Sequence, residues 1–143
     1  MARSAGAMHF LVVEDNPVNQ LLASEMLRAL GYPVRTADDG VHAIESSRSD
    51  PPLAVLMDVQ MPRLDGLATM RELRRLQTQG ELPAFPIIVC SAFYAPAERT
   101  ACFAAGADGF VTKPLMLAKL GAEIFRVLKG QSDDRPPGGR PRA

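Results

Sequence analysis

The sequence predicts an α/β protein, a doubly wound (βα)5 sandwich on one five-stranded parallel sheet. Two observations predict it. Short apolar runs and amphipathic stretches alternate five times along the chain. Three of the runs are almost wholly apolar, which suits strands covered on both faces rather than a half-wet antiparallel sheet. Alternation of this kind calls for right-handed crossovers, with helices on both faces.

The elements follow in order. Phe10–Val13 is the first strand, rich in Val and Leu and too short for a helix. Asn16 then caps a helix with Pro17 at its first position. Val18, Leu21, Leu22, Met26, Ala29 and Leu30 recur at helical spacing, and Gly31 stops the helix. Val34–Ala37 is the second strand, followed by a weaker helix over Val41–Ser47 and the polar linker Arg48–Pro52. Leu53–Met57 is the third strand, and Asp65 caps a helix carrying Leu67, Met70 and Leu73. Pro86–Cys90 is the fourth, with a helix from about Ala97 to Ala105 ending at Gly106. Gly109–Val111 is the fifth. The last helix runs from about Met116 to Leu128, with Leu117, Leu120, Ile124 and Leu128 on one face.

Composition sets the bounds. The chain has 143 residues, 47% hydrophobic and 22% charged, a size that suits one domain with no disulfide or metal staple. Sixteen basic side chains balance sixteen acidic ones, which argues against a broad electrostatic grip on nucleic acid or an anionic membrane. No apolar run approaches a membrane span, and the amino-terminal MARSAGAM carries no secretory signal. Cys90 and Cys102 sit in apolar settings and read as free thiols of a reducing, cytoplasmic compartment. The expected organisation is a flexible segment 1–8, a folded domain 9–129 and a disordered Pro/Gly/Arg-rich tail 130–143.

In an open parallel sheet, ligands bind beyond the carboxyl ends of the strands. The first strand ends in Glu14-Asp15, the third in Asp58, the fourth in Ser91-Ala92 and the fifth in Thr112-Lys113-Pro114. Three carboxylates, a hydroxyl and an ammonium therefore meet on one edge. Carboxylates about 5 Å apart repel by about 3 kcal/mol per pair at an effective dielectric near 20. Either one keeps its proton or a hard cation sits among them. Magnesium fits, because it takes oxygen ligands, keeps several waters and uses one or two carboxylates beside a phosphoryl group. A carboxylate there can attack phosphorus to give an aspartyl phosphate, with Lys113 and Ser91 meeting the phosphoryl oxygens.

At these residues a family becomes visible. LVVEDNPVNQ, MDVQMPRLDG, CSA and GADGFVTKP resemble the response-regulator receiver domain of two-component signalling, over about His9 to Leu128. The wording is most similar to receivers of hybrid sensor histidine kinases and phosphorelays. The resemblance implies a flavodoxin-like sheet in the order 2-1-3-4-5. It implies that Asp58 is the phosphoacceptor and that Lys113 pairs with the phosphoryl group. It implies that Asp15, Asp58 and the Gln60 backbone carbonyl ligate Mg2+, with Glu14 acting through water, and that the Lys113–Pro114 bond is cis. Ser91 stands at the switch hydroxyl and Phe110 at the aromatic that moves with it, filling space that Ser91 frees. Gln60 and Phe93 would flank the acyl phosphate and set its lifetime.

The implied partner is a histidine kinase or histidine phosphotransfer protein, with no direct nucleic-acid or membrane contact. The oligomeric state stays open, and the interface of any homodimer is expected on the last helices, in the surface of the helix from Ala97, the fifth strand and the last helix. The protein is then a signalling switch, not an enzyme, catalysing only its own phosphorylation and dephosphorylation. With only the tail after the last helix, no output domain is expected in this sequence, and it reads as a stand-alone receiver or, the reading preferred, one excised from a hybrid kinase or relay protein. A receiver-like module that binds independently of phosphorylation is the alternative. An aspartate-nucleophile phosphatase is disfavoured, because it needs a second aspartate where Gln60 stands. Outside the edge, Gly66 and Gly106 read as conformational, His9 and His42 as surface or strand residues, and Arg71, Arg74 and Arg75 as the wet face of a helix.

Overall fold

The computed structural model describes residues 8–59, 66–92 and 96–130. Within them five strands, β1 (Phe10–Val13), β2 (Val34–Ala37), β3 (Ala54–Asp58), β4 (Ile87–Ser91) and β5 (Gly109–Thr112), alternate with five helices. The helices are α1 (Pro17–Ala29), α2 (Gly40–Ser49), α3 (Gly66–Thr78), α4 (Pro96–Ala104) and α5 (Leu117–Lys129). All strand pairs are parallel, in the order β2-β1-β3-β4-β5. The direction of winding reverses between β1 and β3, so the crevice beyond their carboxyl ends is where this topology places a ligand.

Period-two alternation divides the sheet's side chains between two cores. Leu11, Val13, Val55, Met57, Ile87, Val89 and Phe110 face α2, α3 and α4. Phe10, Val12, Ala54, Leu56, Ile88, Cys90 and Val111 face α1 and α5. Because both faces are covered, β1, β3 and β4 are buried at every position and read as apolar runs, broken only by Asp58 and Ser91 at the carboxyl ends of β3 and β4.

Local chemistry fixes the helix ends. Asn16 Oδ1 accepts from the Val18 and Asn19 N–H groups at 2.9 and 3.0 Å, and Pro17 opens α1. Gly31, at φ 98°, adopts the left-handed conformation that turns the chain out of α1. Two apolar faces differ from expectation. In α1 the buried residues are Ala23, Ser24 and Leu27, whereas Val18, Leu21 and Leu22 are 70, 60 and 50% exposed. Apolar side chains on adjacent stripes of α1 satisfy helical spacing either way, and small Ala23 and Ser24 allow close approach to the sheet. In α5, Val127 joins Leu120 and Ile124 in the core while Leu117, at the first helical position, lies out at the rim.

Several expectations concern residues outside this description. Asp65 as a cap, the segment before Met8 and the tail beyond Gly130 all lie outside the described residues.

Candidate functional site

Glu14, Asp58 and Lys113 converge at the carboxyl edge of the sheet. β1 delivers Glu14, whose N–H donates to the Ala37 carbonyl at 3.0 Å and extends the strand past Val13. Asp58 is the last residue of β3, paired with Cys90 of β4, and its side chain is 4% exposed. Lys113 follows β5, and its N–H donates to the Ser91 carbonyl at 2.9 Å. These backbone ladders hold three charged side chains where random loops would not.

The electrostatics follow from crowding. Lys113 Nζ donates to Asp58 Oδ2 at 2.8 Å and lies 3.7 Å from Glu14 Oε1. Two buried carboxylates thus share one ammonium. Burial, reinforced by the hydrogen bond and charge of Asp58, pushes the Glu14 carboxyl up to about 7. Burial also works against the Lys113 ammonium, but the hydrogen bond to Asp58 and the two carboxylates outweigh it and hold Lys113 above its ordinary value. Glu14 is further oriented by the Asn16 N–H, which donates to Oε2 at 3.1 Å. Burial pushes the neighbouring Cys90 thiol up to about 12, so it is an inert wall of the site.

Ser91 ends β4, fully buried, in register with Thr112 of β5. Asp15 is half-buried at the start of the turn into α1. The Lys113–Pro114 bond is cis. Phe110 sits lower on β5, 6% exposed, under α4. The edge thus carries Glu14, Asp15, Asp58, Ser91 and Lys113; Gln60 and Phe93 lie outside the described residues. A cleft of about 390 Å³ opens there, walled by Glu14, Asn19, Leu22, Asp58, Ala92 and Lys113 among others. A larger groove of about 520 Å³ runs between the carboxyl ends of α1 and α5. Its titratable lining is only Tyr32 and Lys129, so the chemistry belongs to the smaller cleft.

The donor chemistry suits a hard divalent cation. Among the described residues no three His, Cys, Asp or Glu side chains form a metal-binding cluster. Magnesium needs fewer, since it keeps several waters beside one or two carboxylates. A pair of buried carboxylates lifting the proton affinity of Glu14 is an oxygen site short of positive charge.

Other residues proved structural. His42 Nδ1 accepts from the Asp38 N–H at 3.3 Å beside the α2 cap, while His9 is buried just before β1. Arg75 is exposed and paired with Glu72, as a wet helix face should be. Arg74 is not: it reaches across to the Gly106 and Phe85 carbonyls and Asp108. Helical spacing alone places Arg74 with Arg71 on the outer face, and nothing local announces its distant partners.

Comparison with known proteins agrees with the geometry. Residues 10–125 match the family described as Response regulator receiver domain. The response regulator MprA of Mycobacterium sp. (strain KMS) is 38% identical over 130 residues, which span 91% of this chain and 54% of that protein. MprA of Mycobacterium avium (strain 104) is 40% identical over 122 residues, 85% of this chain and 51% of that protein. The chain therefore spans about half the length of the curated relatives it matches. Among solved structures, the receiver domain of the sensor histidine kinase PA1611 from Pseudomonas aeruginosa PAO1 is 36% identical with a TM-score of 0.73, covering 86% of this chain and 98% of that one. That structure has a magnesium ion coordinated in its active-site cleft. The chemotaxis protein CheY4 of Vibrio cholerae is 25% identical with a TM-score of 0.75, covering 85% of this chain and 99% of that one.

Proposed function

The chain belongs to the response-regulator receiver domain family of two-component signalling, and from that premise we propose that it takes a phosphoryl group from a phosphohistidine partner onto Asp58. The observation that carries this reading is the buried Asp58 carboxylate held 2.8 Å from Lys113 Nζ at the topological reversal of the sheet.

In the proposed transfer an Asp58 carboxylate oxygen attacks phosphorus in line with the departing imidazole nitrogen. The P–N bond breaks, a P–O bond forms, and the imidazole leaves as the neutral base, its other ring nitrogen keeping the proton it already carries. Lys113 exchanges its contact with Asp58 for one with a phosphoryl oxygen, which keeps its charge beside the growing negative charge. The Ser91 hydroxyl donates to another phosphoryl oxygen. Asp15, Asp58 and the Gln60 carbonyl would hold Mg2+, with Glu14 acting through a water. The ion, when bound, neutralises phosphoryl charge and replaces the proton that Glu14 otherwise retains. Hydrolysis returns the carboxylate, and Gln60 and Phe93 set how readily water reaches phosphorus. The domain catalyses only its own phosphorylation and dephosphorylation.

Transfer is coupled to output through β4 and β5. Ser91 and Lys113 are joined by a backbone hydrogen bond, so a pull on Ser91 is felt at β5 and at Phe110. The donor is a histidine kinase or histidine phosphotransfer protein. The exposed Val18, Leu21 and Leu22 of α1, with Met116 and Leu117 at the start of α5, flank the site and suit an apolar helical partner. The relay setting is supported by the DNPVNQ and MDVQMPRLDG segments and by the 36% identity to a sensor-kinase receiver. The free, buried Cys90 and Cys102 suit a reducing compartment such as the cytoplasm.

Intact mass after incubation with acetyl phosphate, with and without magnesium, tests the chemistry on wild type and Asp58→Asn. The expected result is a magnesium-dependent gain of one phosphoryl group in wild type alone. No mass gain together with no binding of beryllofluoride would overturn the reading.

A further inference from the structure

Phe110 has no hydroxyl to anchor its ring, yet the ring is tightly held. It stacks on Phe103 of α4, centroids 6.5 Å apart with planes 29° from parallel. Arg99, also on α4, places its guanidinium carbon 5.2 Å from the Phe110 centroid and 5.8 Å from that of Phe103. One exposed cation therefore covers a buried ring and a half-exposed one together, and Phe110 remains 6% exposed.

The backbone beneath is pinned from the other side. The Phe110 N–H, on the outer edge of the sheet, donates to Glu123 Oε2 of α5 at 2.9 Å. Burial raises the Glu123 carboxyl, but Arg126, this N–H and the charge of Arg99 hold it below the ordinary carboxylate range.

We infer that Arg99, with Phe103, is a positioning residue for phosphoryl binding, a latch that holds the Phe110 ring buried and so favours the occupied site. This rests on the phosphoacceptor reading above. Arg99 lies in the first turn of α4, the helix that follows Ser91 by five residues. A shift of Ser91 toward a phosphoryl group vacates space beside β5, and a ring already buried there needs no further ordering. Whatever stabilises the buried ring therefore enlarges the fraction of molecules ready for the phosphoryl group, and its removal weakens binding as that fraction falls.

The test is beryllofluoride affinity in the presence of magnesium, by calorimetry, on wild type, Arg99→Leu, Arg99→Lys and Phe110→Leu, with the Arg99→Leu/Phe110→Leu double variant. Removing the cation should weaken binding roughly two- to fivefold. Arg99→Lys, which keeps the charge, should recover part of the loss. In the Phe110→Leu background, Arg99→Leu should have no further effect, because the ring it acts through is gone. Unchanged affinity in Arg99→Leu, or an equal loss with and without the ring, would overturn the latch. Failure of wild type to bind beryllofluoride would overturn the phosphoacceptor reading and the latch with it.

Discussion

Lys113 Nζ lies 2.8 Å from Asp58 Oδ2, across 55 residues of sequence. The pair leaves a second carboxylate, Glu14, only partly served by the same ammonium, at 3.7 Å. One cation among two buried anions is the feature from which the site's chemistry follows.

Lys113→Ala removes the positive charge that these two side chains share. Magnesium affinity should be retained or increase, because a competing cation is gone. Beryllofluoride binding should fall at least tenfold, because a charge-assisted hydrogen bond worth about 1.5–3 kcal/mol is lost. Calorimetric titration of each ligand checks both halves. A loss of magnesium affinity would contradict the role assigned to Lys113.

Glu14 gives the protein without metal a pH dependence of definite sign. Its pKa rises from 4.5 unfolded to about 7 folded, so the folded state binds the extra proton. The stabilisation is fully present below 4.5 and is lost as pH rises toward 7, amounting to at most about 3 kcal/mol. Buried His9, whose pKa is lowered chiefly by burial, contributes an opposite slope, because the unfolded chain holds a proton that the buried imidazole gives up. Comparing Glu14→Gln with wild type isolates the Glu14 part. Urea unfolding in chelator at pH 5 and pH 8 should show wild type losing more stability than Glu14→Gln across that interval. Equal slopes would remove the crowding argument.

These residues were legible in the sequence because the strand ends carry them. The apolar runs locate every strand to within a residue, so Glu14, Asp58 and Lys113 fall on one edge by topology alone. The faces of α1 and α5 were less legible. Val18, Leu21 and Leu22 obey the same spacing as a core stripe, and only packing against the sheet shows that Ala23 and Leu27 are the buried set. Arg74 was illegible for a different reason: its partners Phe85, Gly106 and Asp108 lie 11, 32 and 34 residues away, with no local pattern linking them. The Arg99–Phe110 contact likewise exists only once α4 lies on β5.

Arg74 should therefore matter to stability and not to phosphoryl chemistry. Its side chain is 25% exposed and that of Asp108 only 8%. Asp108 Oδ2 also accepts from the Ile87 N–H at 2.9 Å, tying the start of β4 to the turn before β5. Arg74→Leu leaves the Asp108 carboxylate and two carbonyls short of a donor, at a cost of about 3 kcal/mol. Urea unfolding should report that loss, while beryllofluoride affinity of the folded fraction stays within twofold of wild type.

Gly66 links the fold directly to the acceptor. It opens α3 with ordinary backbone angles, so conformational freedom does not require glycine there. Space does: a Cβ would stand 2.7 Å from Val59 Cα and 3.0 Å from the Asp58 carbonyl oxygen. Both are backbone atoms, which cannot swing aside as a side chain would. Gly66→Ala must move either α3 away from the sheet or the end of β3 away from α3. The first loosens Met70 and Leu73, which are fully buried against the sheet; the second displaces the Asp58 carboxylate from Lys113. Overpacking of this kind costs about 1–3 kcal/mol. Asp58 Oδ2 has a 2.8 Å hydrogen bond to preserve, so a shift of a few tenths of an ångström also reaches the chemistry. Gly66→Ala should lose stability and gain phosphoryl mass from acetyl phosphate more slowly than wild type. Gly80→Ala, at φ 82° with no atom within 4 Å of its Cβ, is the control, losing stability through backbone strain with no change in phosphorylation rate. Equal phosphorylation rates in the two variants would show that α3, not β3, absorbs the clash.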